Sequence, residues 1–128
     1  MDQEITKREC VQFFFGLRNN LYFYHLSTTK YARHVAVGDL VDTFDDLIDN
    51  FLEILFGKYD RPHNDFADMD IKVSLMNDAK ALFRLQKYID WLNTELPKLI
   101  PPSDSDLLNI RDEMVGKLNN SKYLFVLE

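Results

Sequence analysis

The segment from Tyr31 to Gly57 carries two periodic patterns at once, and together they restrict it to one conformation. His34, Val37, Val41, Phe44, Ile48, Phe51 and Leu55 recur at alternating steps of three and four, the spacing that lines one side of a helix with 3.6 residues per turn. Asp39, Asp42, Asp46, Asp49 and Glu53 recur at the same steps beside them. A strand would scatter both sets over two faces. The spacing therefore predicts a helix over 31–57, apolar along one seam and acidic along its flank. Asp45 adds a sixth acid, and no Lys or Arg falls between Arg33 and Lys58. The chain has 21 acidic and 15 basic residues, so without these six acids it would be balanced, and its formal net charge of −6 belongs to this one helix. Like charges at i,i+4 repel by a few tenths of a kcal/mol per pair. A bound cation or a basic partner would offset that loss, while the plainer reading is a solvated outer face.

The rest of the chain reads as further helices. Cys10, Phe14, Leu17, Leu21 and Tyr24 form a seam in a first helix over 4–26, and Phe13, Phe15, Tyr22 and Phe23 widen its apolar surface enough to contact another subunit. Gly57 is the expected C-cap of the second helix, with Lys58 complementing the helix dipole. Tyr59 to Asp70 holds Pro62, His63 and four Asp residues and reads as one long connection. A third helix is expected over 71–96 on Leu75, Ala79, Leu82, Gln86, Ile89 and Leu96, stopped by Pro97, Pro101 and Pro102. Ser103 or Asp104 would cap a fourth over 103–119 on Leu107, Ile110, Met114 and Leu118, and the apolar tail Tyr123–Leu127 should pack on the bundle or on a neighbour. Residues 1–128 form one domain, an all-α antiparallel four-helix bundle.

Composition excludes several classes. An acidic, otherwise balanced chain lacks the clustered Lys and Arg that phosphate neutralisation requires, so DNA binding is not expected. The single Cys10 can form no internal disulfide and reads as a buried, inert thiol. No apolar run reaches membrane-spanning length, and Met1–Cys10 carries alternating charges rather than the apolar centre of a secretory signal. These features lead us to expect a cytoplasmic, membrane-free protein.

His25 closes the first expected helix, His34 opens the second, and Asp49 and Glu53 stand one turn apart further along it. Imidazole and carboxylate together suit Fe, Mn or Zn, and helical bundles fix such ligands between facing helices. Fifteen residues separate His34 from Asp49, which is about 22 Å of helix rise. One copy therefore cannot bring both to one ion. Two copies packed across a two-fold axis can, because the start of one helix then lies beside the end of the other, so the expected site belongs to a homodimer.

Tyr24-His25-Leu26, a short turn, His34, and then Asp49 and Glu53 at fifteen and nineteen residues beyond it resemble the core of Dps-type mini-ferritins. The wider pattern Tyr24-His25-x-x-Thr28-x-x-Tyr31-Ala32-x-His34, the run Phe51-x-Glu53-x-x-x-Gly57-Lys58-Tyr59, and Asp106-Leu-Leu-Asn-Ile-Arg111-Asp-Glu are similar to a small ferritin-like family encoded by phages and large DNA viruses. The resemblance implies a ferritin-like, Dps-type bundle with an inter-subunit iron site. Its ligands would be His25, His34, Asp49 and Glu53, it would hold up to two ions, and it would oxidise Fe(II) with dioxygen or peroxide for storage or oxidant protection. A larger shell and a host-cytoplasmic or virion location would go with it. Where Dps proteins carry an Asp four residues after the second His, this chain has Gly38. Slow oxidation is therefore expected, and Gly38→Asp is expected to restore it. Leu26 replaces the usual Trp, and Met1-Asp2-Gln3-Glu4 replaces the Lys-rich tail of some Dps proteins. The alternative is a non-catalytic ferritin-fold assembly or accessory protein whose acidic stripe meets a basic partner.

Overall fold

The computed structural model describes residues 3–64 and 66–127; Met1 and Asp2 of the acidic start and Asp65 of the long connection lie outside the described residues. Among the described residues all regular structure is helical. α1 (Gln3–Ser27) and α2 (Tyr31–Tyr59) precede a long connection, after which come α3 (Ala81–Asp90), a π-helical turn (Trp91–Glu95), α4 (Leu96–Leu99) and α5 (Ser105–Phe125). α3, the π turn and α4 join end to end, so four rods make up a helical bundle. The seams read in α1 and α2 hold: Cys10, Phe14, Leu17, Leu21, Tyr24, Val37, Val41, Phe44, Ile48, Phe51 and Leu55 all lie in one continuous core. Burial pushes the Cys10 thiol up to about 12, so it stays protonated and packs as a small apolar group.

Residue pairs fix the directions of the rods. Arg18 of α1 pairs with Asp45 of α2 at 2.9 Å, and Phe14 meets Phe51 with ring centroids 4.9 Å apart, so α2 runs back along α1. Lys58 near the end of α2 reaches Asp106 at 2.8 Å near the start of α5, while Arg33 near the start of α2 donates to the Phe125 carbonyl at the end of α5. Lys122 donates to Gln86 of α3 at 2.6 Å. Phe13 closes the ring of rods by stacking on Trp91 at 3.8 Å. That residue belongs to the apolar surface expected to meet both its own core and another subunit, and here it is partly buried against its own chain.

The long connection explains why α3 starts later than 71. Arg8 donates to the Ala67 and Asp68 carbonyls, Gln12 to Asp70, the Ser74 amide to Asn20, and Tyr24 and Thr28 to the Asp78 carboxylate. As the connection advances, so do its partners on α1. It therefore lies extended along that helix and returns the chain to the end where α2 begins. Its polar groups are satisfied by side chains of α1 rather than by a helix of its own. Leu75 and Ala79 are consequently exposed, and the seam of α3 runs through Ala81, Leu85, Tyr88, Leu92 and Leu96.

Other boundaries also move. α2 continues through Gly57 and ends at Asp60, whose φ of 75° lies in the left-handed region. An Asp tolerates that conformation because its carboxylate bonds locally: it accepts from the Arg61 amide at 2.9 Å and from His63 at 2.6 Å, which also lowers its pKa. Pro97 does not stop the third rod. In the π register a residue at 97 would donate to the carbonyl five residues back, and proline has no N–H to give. Arg111 supplies the missing donor, bonding the Leu92 carbonyl at 3.2 Å. Asp104 begins α5, yet its side chain makes no cap. It accepts from Lys58 at 3.2 Å and from the Tyr59 hydroxyl, tying α5 to the end of α2. α5 itself extends past 119 to Phe125, because Ser121 and Phe125 carry the buried seam onward, while Tyr123, Val126 and Leu127 face outward.

Candidate metal centre

The turn between α1 and α2 is closed by its two histidines. His25 Nδ1 lies 2.8 Å from the His34 carbonyl oxygen, and His34 Nδ1 lies 2.7 Å from the His25 carbonyl oxygen. A carbonyl can only accept, so each Nδ1 carries the proton and donates. The His25 carbonyl is one of the last four of α1, which the helix leaves without a partner, and His34 satisfies it. With both tautomers set this way, each neutral ring keeps its lone pair on Nε2. This is the arrangement in which a backbone carbonyl orients an imidazole for a metal ion.

The rings are stacked at a centroid distance of 4.0 Å and an interplanar angle of 15°. Tyr22 continues the column on the His25 side at 6.0 Å, and Tyr31 continues it on the His34 side at 6.2 Å. Arg18 covers the Tyr22 ring at 4.9 Å. The column lines a depression of about 340 Å³ together with Val35, Gly38, Asp39 and Asp42. Tyr22 was read only as part of an apolar surface. Its position one turn from Arg18 and beside His25 could not be separated from packing by spacing alone.

Gly38 has a different meaning from the one its alignment with an Asp suggests. A Cβ built on Gly38 would lie 2.9 Å from His25 Cε1 and 3.1 Å from His25 Nδ1. The missing side chain is the space the His25 ring occupies. An Asp at this position would have to displace a ring held by a hydrogen bond and by stacking, which counts against Gly38→Asp as a simple completion of the site.

The structure brings His25 and His34 together and leaves Asp49 and Glu53 further along α2, both exposed. Among the described residues no three His, Cys, Asp or Glu side chains group closely enough within one chain to hold an ion. Of the acidic stripe, Asp45 is neutralised by Arg18, while Asp39, Asp42, Asp46, Asp49 and Glu53 stay exposed. Tyr24 and Thr28, which belong to the same sequence pattern as the histidines, serve the fold. Both bond Asp78, and Arg33 donates to the Tyr24 hydroxyl at 3.0 Å and to the Asp78 carbonyl at 2.7 Å. Tyr24 is fully buried, whereas Tyr31 is 79 % exposed. His63 lies on the connection with Asp60, away from the column.

No helix of the described residues is long and apolar enough to cross a membrane. No curated protein and no solved structure matches the chain. The pattern that does match spans residues 25–125, from the first histidine of the column to the end of α5, and over that length the chain belongs to the family described as "Family of unknown function (DUF5856)".

Proposed function

We propose that the protein is a ferritin-like, Dps-type bundle that takes up divalent metal, iron first, at a site shared between two copies. The observation that carries this reading is the His25–His34 pair, with both Nδ1 atoms committed to carbonyls and both Nε2 atoms left as acceptors. The donor set fits a borderline metal such as Fe(II), Mn(II) or Zn(II). Asp49 and Glu53 of a second copy would add carboxylates, with Glu53 the residue to bridge two ions. A single long crossover after the second helix is the connectivity of ferritin-like bundles. Phe15, Tyr22 and Phe23 are 45, 43 and 41 % exposed on the outer side of α1 and offer the apolar surface for that second copy. In this reading iron is substrate as well as ligand. The chain's own residues bind and orient it, and oxidation by dioxygen or peroxide is slow because position 38 supplies no carboxylate.

A second reading has its own observation. Reciprocal bonding and stacking of the two histidines also make a latch for the α1–α2 turn, and the acidic stripe would then meet a basic partner in a non-catalytic assembly, such as a viral accessory structure. Thermal melts with Fe(II), Mn(II) or Zn(II) separate the two. An upward shift that disappears in the His34→Ala/Glu53→Ala double variant supports the metal site, since a ligand bound only by the native state stabilises it. Equal melts with and without metal would leave the latch as the sole role. Native mass spectrometry with metal analysis reads the subunit number in the same sample.

A further inference from the structure

At the other end of α1 from the histidines, Lys7 is a charged residue inside the protein, with its side chain 4 % exposed. Among the described residues its ammonium has one ion-pair partner, Glu4 at 3.2 Å, and that carboxylate is half in solvent. Among the described residues Asp104 is held by Lys58 and Tyr59, and Asp60 by His63 and the Arg61 amide, with the Lys7 charge acting on Asp60 only at a distance. The positive end of the α1 dipole adds to the local charge. A buried ammonium costs several kcal/mol unless its donors and charge are well met, and one half-exposed partner meets neither fully.

Lys7 lines a cavity of about 190 Å³ whose other walls include Leu55, Tyr59, Leu99 and Pro101. Tyr59 directs its hydroxyl to Asp104, so it offers the cavity its ring. The pocket is therefore cationic at Lys7, polar where Gln3 and Thr6 line it, and apolar along Leu55, Leu99 and Pro101. We infer that it binds a small organic carboxylate, with the head group on the Lys7 ammonium and the alkyl part against Leu55, Leu99 and Pro101. A carboxylate fits better than a phosphate because one ammonium answers one charge, and the Leu55, Leu99 and Pro101 side of the wall takes the alkyl part. This site is independent of the histidine column.

Isothermal titration of the full chain with butanoate, 1-butanol and butylammonium tests the inference. Butanoate binds saturably at millimolar concentration, and the alcohol and the cation do not. Lys7→Met keeps the side-chain volume and is compatible with folding, since an apolar replacement of a buried charge is often neutral or stabilising. It weakens butanoate binding by about tenfold or more, the worth of one charge-assisted hydrogen bond. Leu99→Phe fills the apolar part and leaves the charge, so it weakens butanoate more than acetate. No saturable binding by the wild type overturns the inference, as does equal binding of 1-butanol or full retention in Lys7→Met.

Discussion

His25 and His34 each donate an imidazole N–H to the other's backbone carbonyl, at 2.8 and 2.7 Å, across the turn that joins the two longest helices. The bonds make the two rings one unit. Whatever binds there meets a pair of preset lone pairs, and whatever disturbs one ring disturbs the helix turn. The same unit gives Gly38 its role, because the ring of His25 fills the space beside it.

Alanine substitution at the glycines should separate this effect from helix propensity. Gly57 and Gly116 lie in helices with nothing within 4 Å of an added Cβ, so Gly57→Ala and Gly116→Ala each raise stability by about 0.5–1 kcal/mol. Gly38→Ala forgoes that gain and lowers stability, because the Cβ meets His25 Cε1 at 2.9 Å. Urea unfolding of the three variants gives the comparison. A stabilised Gly38→Ala would show that the His25 ring is free to move away.

The Tyr88 hydroxyl is buried without a hydrogen-bond partner among the described residues. An unmet buried hydroxyl costs about 1–3 kcal/mol, so Tyr88→Phe raises the unfolding free energy by roughly 1 kcal/mol. A fall instead would reveal a bound water or another partner at that oxygen.

Pro97 and Arg111 form a testable pair. Arg111→Met strands the Leu92 carbonyl and costs about 1–2 kcal/mol. Pro97→Ala returns an N–H to the π turn. The loss on Arg111→Met should therefore be smaller in the Pro97→Ala background, a coupling that a double-mutant cycle by chemical denaturation reads directly.

Asp78 links stability to acid. Hydrogen bonds from Tyr24 and Thr28, aided by the Arg33 charge, hold its carboxyl below the usual range. A carboxylate with a lowered folded pKa contributes fully above its unfolded pKa and loses that contribution as pH falls through the folded value. Wild type should thus lose stability relative to Asp78→Asn as pH drops below about 4, and the two should differ by a constant amount near neutrality. Melting temperatures across that range check it.

Phe15→Asp tests the shared site through its surface. Phe15 is 45 % exposed on α1 and outside the core, so the change leaves helicity intact while placing a charge on the proposed subunit contact. Sedimentation should show dissociation toward a monomer of 15.1 kDa with unchanged circular dichroism. A wild type that already sediments as a monomer would remove the shared metal site.

Local periodicity alone determined α1, α2 and most of α5. Their apolar residues repeat at three and four, and each such stripe buries only if the segment is helical. The histidine pair was equally legible, since a turn as short as Ser27–Lys30 brings the ends of two helices together. Tertiary structure decided the rest. The segment 71–80 has a helical apolar pattern, but Asn20 takes its Ser74 amide and Tyr24 and Thr28 donate to its Asp78 carboxylate, and no window of local sequence contains those partners. Pro97 reads as a stop until Arg111, fourteen residues on, replaces the missing donor. Gly38 reads as an absent ligand until the His25 ring is seen in its place, because a glycine in sequence does not say whether its missing side chain is empty space or a neighbour's. The polar pairings that reset these elements join residues distant along the chain, and only the packed helices bring them within reach.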